Sequence, residues 1–219
     1  MYGGYHDDAD CIVALSGGVE STALLAWLIE NRRKPYLFHV EFKGQDKQPA
    51  ERIRVIKRFY GVQVVTYTID ALTGDNGFID ADKTKQFYIH TPGQASPQVS
   101  VWATIAHIIQ TSNPWIKDIY YGACFGGLLK HGDDEGDHMF GYLEQTIKSI
   151  KDLAGTLDIE AELSAPIGHM TKLEQWGIID TEVQTQIWSC LTTNINQQCG
   201  KCYKCVDLEA VRNAVDFSK

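Results

Sequence analysis

The sequence predicts an α/β fold in which five parallel strands form one sheet with helices on both faces, followed by a small cysteine-rich element near the C-terminus. Three observations support this prediction. Apolar segments of strand length alternate with segments of helical periodicity over residues 11–69. A Ser-Gly-Gly loop follows the first apolar segment, and four cysteines crowd together near the C-terminus. Such alternation is typical of a parallel sheet with right-handed crossover connections.

Each predicted element has its own local signal. The first strand, residues 11–15 (CIVAL), has the wholly apolar composition of a buried parallel strand. Further apolar or alternating runs predict strands at residues 36–42, 62–69, 118–121 and 159–165. Apolar residues at helical spacing predict helices at residues 21–31, 49–60, 99–110, 139–153, 171–176, 182–188 and 206–215.

Composition excludes several classes of protein. With 219 residues and 44% hydrophobic content, the chain is long and apolar enough to bury a core. No apolar run approaches bilayer length, and the acidic first ten residues do not resemble a signal peptide. Twenty Lys and Arg against 28 Asp and Glu give a net charge of −8, which argues against direct nucleic-acid binding. We therefore expect a cytoplasmic protein that does not contact a membrane.

The loop after the first strand has the features of an anion site. Residues 16–22 read SGGVEST. Adjacent glycines allow backbone N–H groups to converge on an anion, and the following helix N-terminus carries partial positive charge. Ser16, Ser21 and Thr22 add hydroxyl donors. The dinucleotide G-x-G-x-x-G and Walker A patterns are both absent. The placement favours a phosphate or pyrophosphate site over an ordinary strand-to-helix turn.

The cysteine cluster predicts a metal site. Its spacing is C-x8-C-x2-C-x2-C, formed by Cys190, Cys199, Cys202 and Cys205. Four thiolates so close together suit a closed, structural tetrahedral zinc site, with Gly200 allowing a tight turn. A [4Fe–4S] cluster also takes four cysteines, and the spacing does not separate the two. Reduced cysteines indicate a reducing compartment.

The loop resembles the PP-loop, S-G-G-x-D-S, of the ATP pyrophosphatases. Members of this superfamily cleave ATP between its α- and β-phosphates and adenylate a substrate oxygen, and they have a Rossmann-like, adenine-nucleotide α-hydrolase-like fold. Glu20 stands where the motif usually has Asp. The resemblance implies that Glu20 holds Mg²⁺ and that ATP is bound by Leu15, Ser16, Gly17, Gly18, Val19, Glu20, Ser21 and Thr22.

The combination of this loop with W-S-C…C-G-x-C-x-x-C is similar to the 7-cyano-7-deazaguanine synthase family, whose four cysteines hold zinc. Ala-Pro-Ile at 165–167, followed by Thr171 and Lys172, also resembles that family. The resemblance implies an ATP-binding domain at residues 1–187 and a zinc element with a closing helix at residues 188–219. It further implies the catalytic residues Glu20, Lys172 and Asp137, and the cofactors ATP, Mg²⁺ and Zn²⁺.

In that family a 7-deazapurine carboxylate is adenylated and then converted with ammonia to an amide or nitrile, in the queuosine or deazaguanine nucleic-acid modification pathway. The resemblance therefore implies an ATP-dependent carbon–nitrogen ligase that forms AMP and pyrophosphate. Members are often homodimers.

This chain departs from the pattern of the family that it resembles, as expected of a divergent member with a rebuilt pocket or of an enzyme with a different substrate. Residues 91–96 read TPGQAS and lack the Arg and Asn that the family has in its Pro-x-Arg-Asn stretch. Two alternatives follow. One is a PP-loop thiolation enzyme, for which only Cys124 is placed to carry a persulfide. The other is a catalytically silent protein that binds a nucleotide or base.

Overall fold

The computed structural model describes residues 8–42, 48–69, 97–131, 162–187 and 200–216. Within these ranges five strands form one sheet. They are β1 (Cys11–Ala14), β2 (Pro35–Phe42), β3 (Val65–Ile69), β4 (Asp118–Tyr120) and β5 (Glu162–Ser164). The helices are α1 (Val19–Glu30), α2 (Gln48–Tyr60), α3 (Pro97–Ser112), α4 (Lys172–Ile178), α5 (Thr181–Gln184) and α6 (Tyr203–Asp216).

The sheet is parallel throughout, as the alternating sequence pattern predicts. Its strand order is β3-β2-β1-β4-β5. Cys11 on the central strand β1 is in register with Pro35 on one side and with Asp118 on the other. The connections therefore run outward in opposite directions from β1. In an open α/β sheet such a reversal leaves a crevice at the carboxyl ends of the two central strands, here β1 and β4.

Helices cover both faces of the sheet, which confirms the predicted layering. One face carries Cys11, Val13 and Leu37, and it packs against buried residues from five helices, including Leu24, Ile56, Trp176, Val183 and Leu208. The opposite face carries Ile12, Phe38 and Val40, and it packs against Ala103, Ala106 and Ile109 of α3. Because β1 is buried on both faces, its sequence is apolar at every position.

Several element boundaries differ from those predicted. Helix α1 begins at Val19 rather than at residue 21, so Glu20 lies in its first turn. Strand β3 begins at Val65 rather than residue 62, because its pairing with β2 starts where Val65 meets Phe38. Helix α5 ends at Gln184 and is shorter than predicted. The helix predicted at residues 139–153 lies outside the described residues.

None of the helices in the described part of the chain is both long enough and apolar enough to span a bilayer.

Candidate functional site

The Ser-Gly-Gly loop, residues 15–22, starts from a fixed point at the carboxyl end of β1. The Leu15 amide donates to the Phe38 carbonyl at 2.7 Å, and Nδ1 of the buried His39 lies 2.8 Å from the Leu15 carbonyl oxygen. Burial lowers the pKa of His39, so the ring is neutral and Nδ1 carries the donated proton. Strand β2 therefore sets where the loop begins.

A compact network of hydrogen bonds gives the loop its shape. Ser21 Oγ accepts from the Ser16 amide at 3.2 Å, lies 3.0 Å from Ser16 Oγ and donates to the Gly18 carbonyl at 3.3 Å. Thr22 Oγ1 also donates to the Gly18 carbonyl, at 2.7 Å. The hydroxyls of Ser21 and Thr22, predicted as donors to an anion, thus bond within the loop. The first hydrogen bond within α1 runs from the Thr22 amide to the Gly18 carbonyl. The backbone N–H groups of α1 before Thr22 have no carbonyl partner within the helix, and they are the main donors that the loop offers to an anion.

Two glycines allow neighbouring elements to approach the loop closely. Gly17 has a φ of 74°, and a Cβ atom there would lie 2.9 Å from the Cβ of Arg52, a buried residue of α2. A Cβ atom on Gly122, after β4, would lie 2.7 Å from the backbone of Glu20 and Ser21. The loop is therefore enclosed by α2 on one side and by the end of β4 on the other.

The structure brings together two of the predicted catalytic residues. Glu20 Oε1, in the first turn of α1, lies 3.1 Å from Nζ of Lys172, the first residue of α4. A capping box holds the start of α4: Thr171 Oγ1 accepts from the Glu174 amide, and Glu174 Oε2 accepts from the Thr171 amide. The Lys172 amide donates to the Gly127 carbonyl at 2.9 Å. The base of the lysine side chain is therefore fixed beside the loop.

The pair sits in a wider arrangement of alternating charges. Lys172 Nζ is also 3.4 Å from Asp207 Oδ2 on α6. Burial opposes ionisation of Glu20, but the ammonium groups of Lys204 and Lys172 outweigh burial and lower the pKa of Glu20 to about 2. Burial likewise opposes the charged form of Lys172, whereas Glu20 and Asp207 raise its pKa above the ordinary value. Both groups are charged at neutral pH.

The segment after β4 packs against the chain that leads into α4. Cys124 Sγ lies 3.4 Å from the carbonyl oxygens of both Gly127 and Met170, and its single S–H proton is shared between these two acceptors. The buried Gln175 donates from Nε2 to the carbonyls of Ala123 at 2.6 Å and Ile167 at 3.1 Å. These bonds hold α4, and with it Lys172, at the carboxyl edge of the sheet. A separate groove of about 460 Å³ lies between α2 and strands β2 and β3, and no residue of the Ser-Gly-Gly loop lines it.

Two of the four predicted zinc ligands lie in the described residues and are adjacent. The Cys202 and Cys205 sulfurs, at the start of α6, are 3.4 Å apart. Two sulfurs bound tetrahedrally to zinc at 2.3 Å are about 3.8 Å apart, so the pair fits such a site with a small adjustment. Gly200 has a φ of 67°, in agreement with the predicted tight turn. Three predicted site residues lie outside the described part of the chain: Cys190, Cys199 and the predicted catalytic Asp137. Within the described part, no three potential metal ligands form a group.

Some residues at the site carried no sequence signal. Arg52, Lys204 and Asp207 sit in ordinary amphipathic helices, and nothing in their spacing separates them from solvated surface charges. His39 reads as an isolated histidine, although the structure makes it the anchor of the loop.

Comparison with known proteins shows the family of the chain. The family model described as "Queuosine biosynthesis protein QueC" matches residues 10–213, a range that contains the loop, Lys172 and all four clustered cysteines. No curated protein matches the chain in sequence. Among solved structures, an NMN synthetase from Francisella tularensis is 12% identical, with a TM-score of 0.38, over 86% of this chain and 91% of that chain. The chain belongs to the QueC family, the 7-cyano-7-deazaguanine synthase family of ATP-using PP-loop enzymes.

Proposed function

We propose that the chain is an ATP-dependent carbon–nitrogen ligase that converts a 7-deazapurine carboxylate with ammonia to an amide or nitrile and forms AMP and pyrophosphate. One observation carries this proposal. In a chain of the QueC family, the charged pair of Glu20 and Lys172 closes one side of a Ser-Gly-Gly loop at the switch point of the sheet. That crevice is where an open α/β sheet binds its ligand.

The proposed reaction has two adenylation steps. A substrate carboxylate oxygen attacks the α-phosphorus of ATP, the α–β phosphoanhydride bond breaks, and pyrophosphate leaves. Ammonia then attacks the acyl carbon, AMP departs with the former carboxylate oxygen, and an amide remains. The amide oxygen then attacks the α-phosphorus of a second ATP, whose α–β bond breaks with release of a second pyrophosphate. Loss of AMP and of the N–H protons then gives the nitrile.

The residues of the site have separate roles in this scheme. Backbone N–H groups at the start of α1 hold the phosphates, as helix N-termini do for anions generally. Lys172, charged at neutral pH, faces the negative charge that develops on the phosphates as pyrophosphate leaves. Glu20, in the first turn of α1, would hold Mg²⁺, which when bound neutralises charge on the triphosphate. The cysteine element is proposed to hold Zn²⁺ in a structural role.

The length of Glu20 suits its contact. The carboxylate reaches Lys172 Nζ at 3.1 Å. An aspartate at this position would be shorter by one carbon–carbon bond, about 1.5 Å. The glutamate is therefore matched to this lysine, which supports an active site rather than a silenced one.

The thiolation alternative would use Cys124, whose sulfur lies beside two carbonyl oxygens and interacts with the Lys172 ammonium group. Its sulfur faces the carbonyl oxygens of Gly127 and Met170. Carbonyl oxygens accept a hydrogen bond from the protonated thiol, whereas the nearby Lys172 ammonium group favours the thiolate that persulfide chemistry requires. The ligase proposal is therefore favoured over thiolation by the family match and not by the surroundings of this thiol.

The test is a direct assay. Purified protein, ATP, Mg²⁺, ammonium and 7-carboxy-7-deazaguanine are incubated, and the products are read by mass spectrometry. The proposal expects AMP, pyrophosphate and the amide or nitrile product, with strong loss of turnover in Glu20→Gln. ATP binding without any turnover would favour the silent alternative, and transfer of sulfur from a persulfide donor would favour thiolation.

A further inference from the structure

Helix α6 contributes a charged group to the site although it lies outside the Ser-Gly-Gly loop and outside α4. Asp207 Oδ2 is 3.4 Å from Lys172 Nζ, whose second carboxylate partner is Glu20 Oε1 at 3.1 Å. The three side chains are 27%, 16% and 18% exposed for Asp207, Lys172 and Glu20 respectively. The ammonium group is thus held between two carboxylates in a largely buried setting.

A single carboxylate would hold this lysine poorly. A lysine side chain has four rotatable bonds and about 2 kcal/mol of rotamer entropy, and its ammonium group binds as a point charge without a preferred direction. A single carboxylate therefore fixes only the distance of the Lys172 Nζ atom from that carboxylate, not its direction. A second carboxylate on a different helix restricts the position of Nζ further. Helix α6 is itself held in place, because Leu208 and Val211 are fully buried in the core shared with α1.

We propose that Asp207 is a positioning residue that fixes Lys172 beside the loop. The inference rests on the proposed function, because Lys172 is the group that meets the developing phosphate charge there. Asp207 does not itself face the phosphates in this scheme. Its effect passes through the position of the Lys172 ammonium group. Helix α6, which begins directly after Cys202 and contains Cys205, therefore takes part in arranging the proposed ATP site.

The consequence is a division between turnover and binding. Ground-state binding of the triphosphate is carried by the backbone N–H groups of the loop, whereas a correctly placed Lys172 matters most in the transition state. Replacing Asp207 with Asn removes one carboxylate partner but keeps the size of the side chain. We therefore expect kcat to fall about tenfold, while KM for ATP changes by less than about threefold.

The experiment compares Asp207→Asn, Asp207→Glu and the control Glu209→Gln, using pyrophosphate release and ATP binding by calorimetry. Glu209 lies on the same helix but is exposed. Asp207→Glu keeps the carboxylate and should recover most of the lost kcat, and Glu209→Gln should match the wild type. All variants should keep the metal content and melting temperature of the wild type, which separates positioning from a general loss of folding.

A second arm tests whether the effect passes through Lys172. In a Lys172→Met background, measured at high enzyme concentration, Asp207→Asn should lower kcat by less than about twofold, because its partner is gone. An unchanged kcat in Asp207→Asn, or an equal tenfold loss in the Lys172→Met background, would overturn the proposal. A wild-type chain that neither binds ATP nor releases pyrophosphate would overturn the proposed function, and this inference with it.

Discussion

Gly122 is pressed against the backbone of Ser21, so that the end of β4 supports the first turn of α1 directly. A Cβ atom on Gly122 would lie 2.7 Å from the Ser21 nitrogen and 2.7 Å from the Glu20 carbonyl carbon. These are backbone atoms at the start of a helix and cannot rotate away as a side chain can. The segment that follows β4 therefore contacts the helix that follows β1 at the point where the phosphate site is proposed.

This contact predicts that Gly122→Ala disturbs both the fold and the site. The added methyl group should lower the free energy of unfolding by about 1–3 kcal/mol through overpacking, and it should weaken ATP binding. Gly177→Ala is the matched control, because Gly177 lies in α4 with nothing within 4 Å of its Cβ position. The control should be neutral or stabilising by up to about 1 kcal/mol. Urea denaturation measures the free energy of unfolding of the two variants, and equal values would contradict the prediction.

Ser21 predicts a second, local effect on ATP binding. Its hydroxyl bonds to Ser16 and to the Gly18 carbonyl and so keeps the loop in one conformation. Ser21→Ala should weaken ATP binding by about tenfold, the equivalent of one to two hydrogen bonds. Ser112→Ala removes a comparable hydroxyl, which donates to the Ile108 carbonyl at the exposed end of α3, and should leave ATP binding unchanged. Calorimetry decides, and an unchanged affinity in Ser21→Ala would place the nucleotide elsewhere.

The pKa of Glu20 predicts a dependence of stability on pH. The pKa is about 2 in the folded chain against an ordinary value of 4.5. Because the folded-state pKa is lower than the unfolded-state pKa, the Glu20 carboxylate stabilises the fold fully above pH 4.5. This stabilisation is lost as the pH falls from 4.5 towards 2. The difference amounts to about 3 kcal/mol at most. Wild type should therefore exceed Glu20→Gln in stability at pH 7 and pH 5, and the gap should close below pH 4.5. A constant gap in urea denaturation down to pH 3 would show that Glu20 is not held as an anion.

Shortening Glu20 predicts a partial loss. Glu20→Asp keeps the charge but withdraws the carboxylate from Lys172 by about 1.5 Å. We expect lower turnover than in the wild type and higher turnover than in Glu20→Gln, measured as pyrophosphate release. A large gain in pyrophosphate release from Glu20→Asp would identify the natural glutamate as a silencing residue and contradict the enzyme proposal.

The cysteine cluster predicts a metal content. Elemental analysis should find about one zinc per chain, and chelation should lower the melting temperature strongly, because structural zinc contributes on the order of ten kcal/mol. Cys202→Ser should lose the metal, whereas Cys124→Ser, outside the cluster, should keep it. Iron and sulfide in equal amounts, with visible absorbance, would replace the zinc prediction by an iron–sulfur cluster.

Local signals in the sequence were sufficient for the strands, the loop and the cysteine pair. Residues 11–15 are apolar at every position because a central parallel strand is buried on both faces. A glycine pair directly after such a strand indicates a tight loop that leads into a helix. Cys202 and Cys205 are neighbours in the structure because Cys202 directly precedes α6 and Cys205 follows three residues later in its first turn. These features depend on composition and periodicity, which a single sequence displays.

The partners across the site were decided by the tertiary structure alone. Glu20, Lys172 and Asp207 come from three helices far apart in the chain, and they meet because the strand order places β4 beside β1 and α6 against the core of α1. The sequence motifs indicate Glu20 and Lys172 separately, but no periodicity records their meeting, and Asp207 taken alone reads as a surface charge. Helix boundaries behave in the same way, since α1 begins at Val19 where the Ser-Gly-Gly loop closes on Gly18. The sequence determined which local structures form, and long-range packing determined which charges face one another.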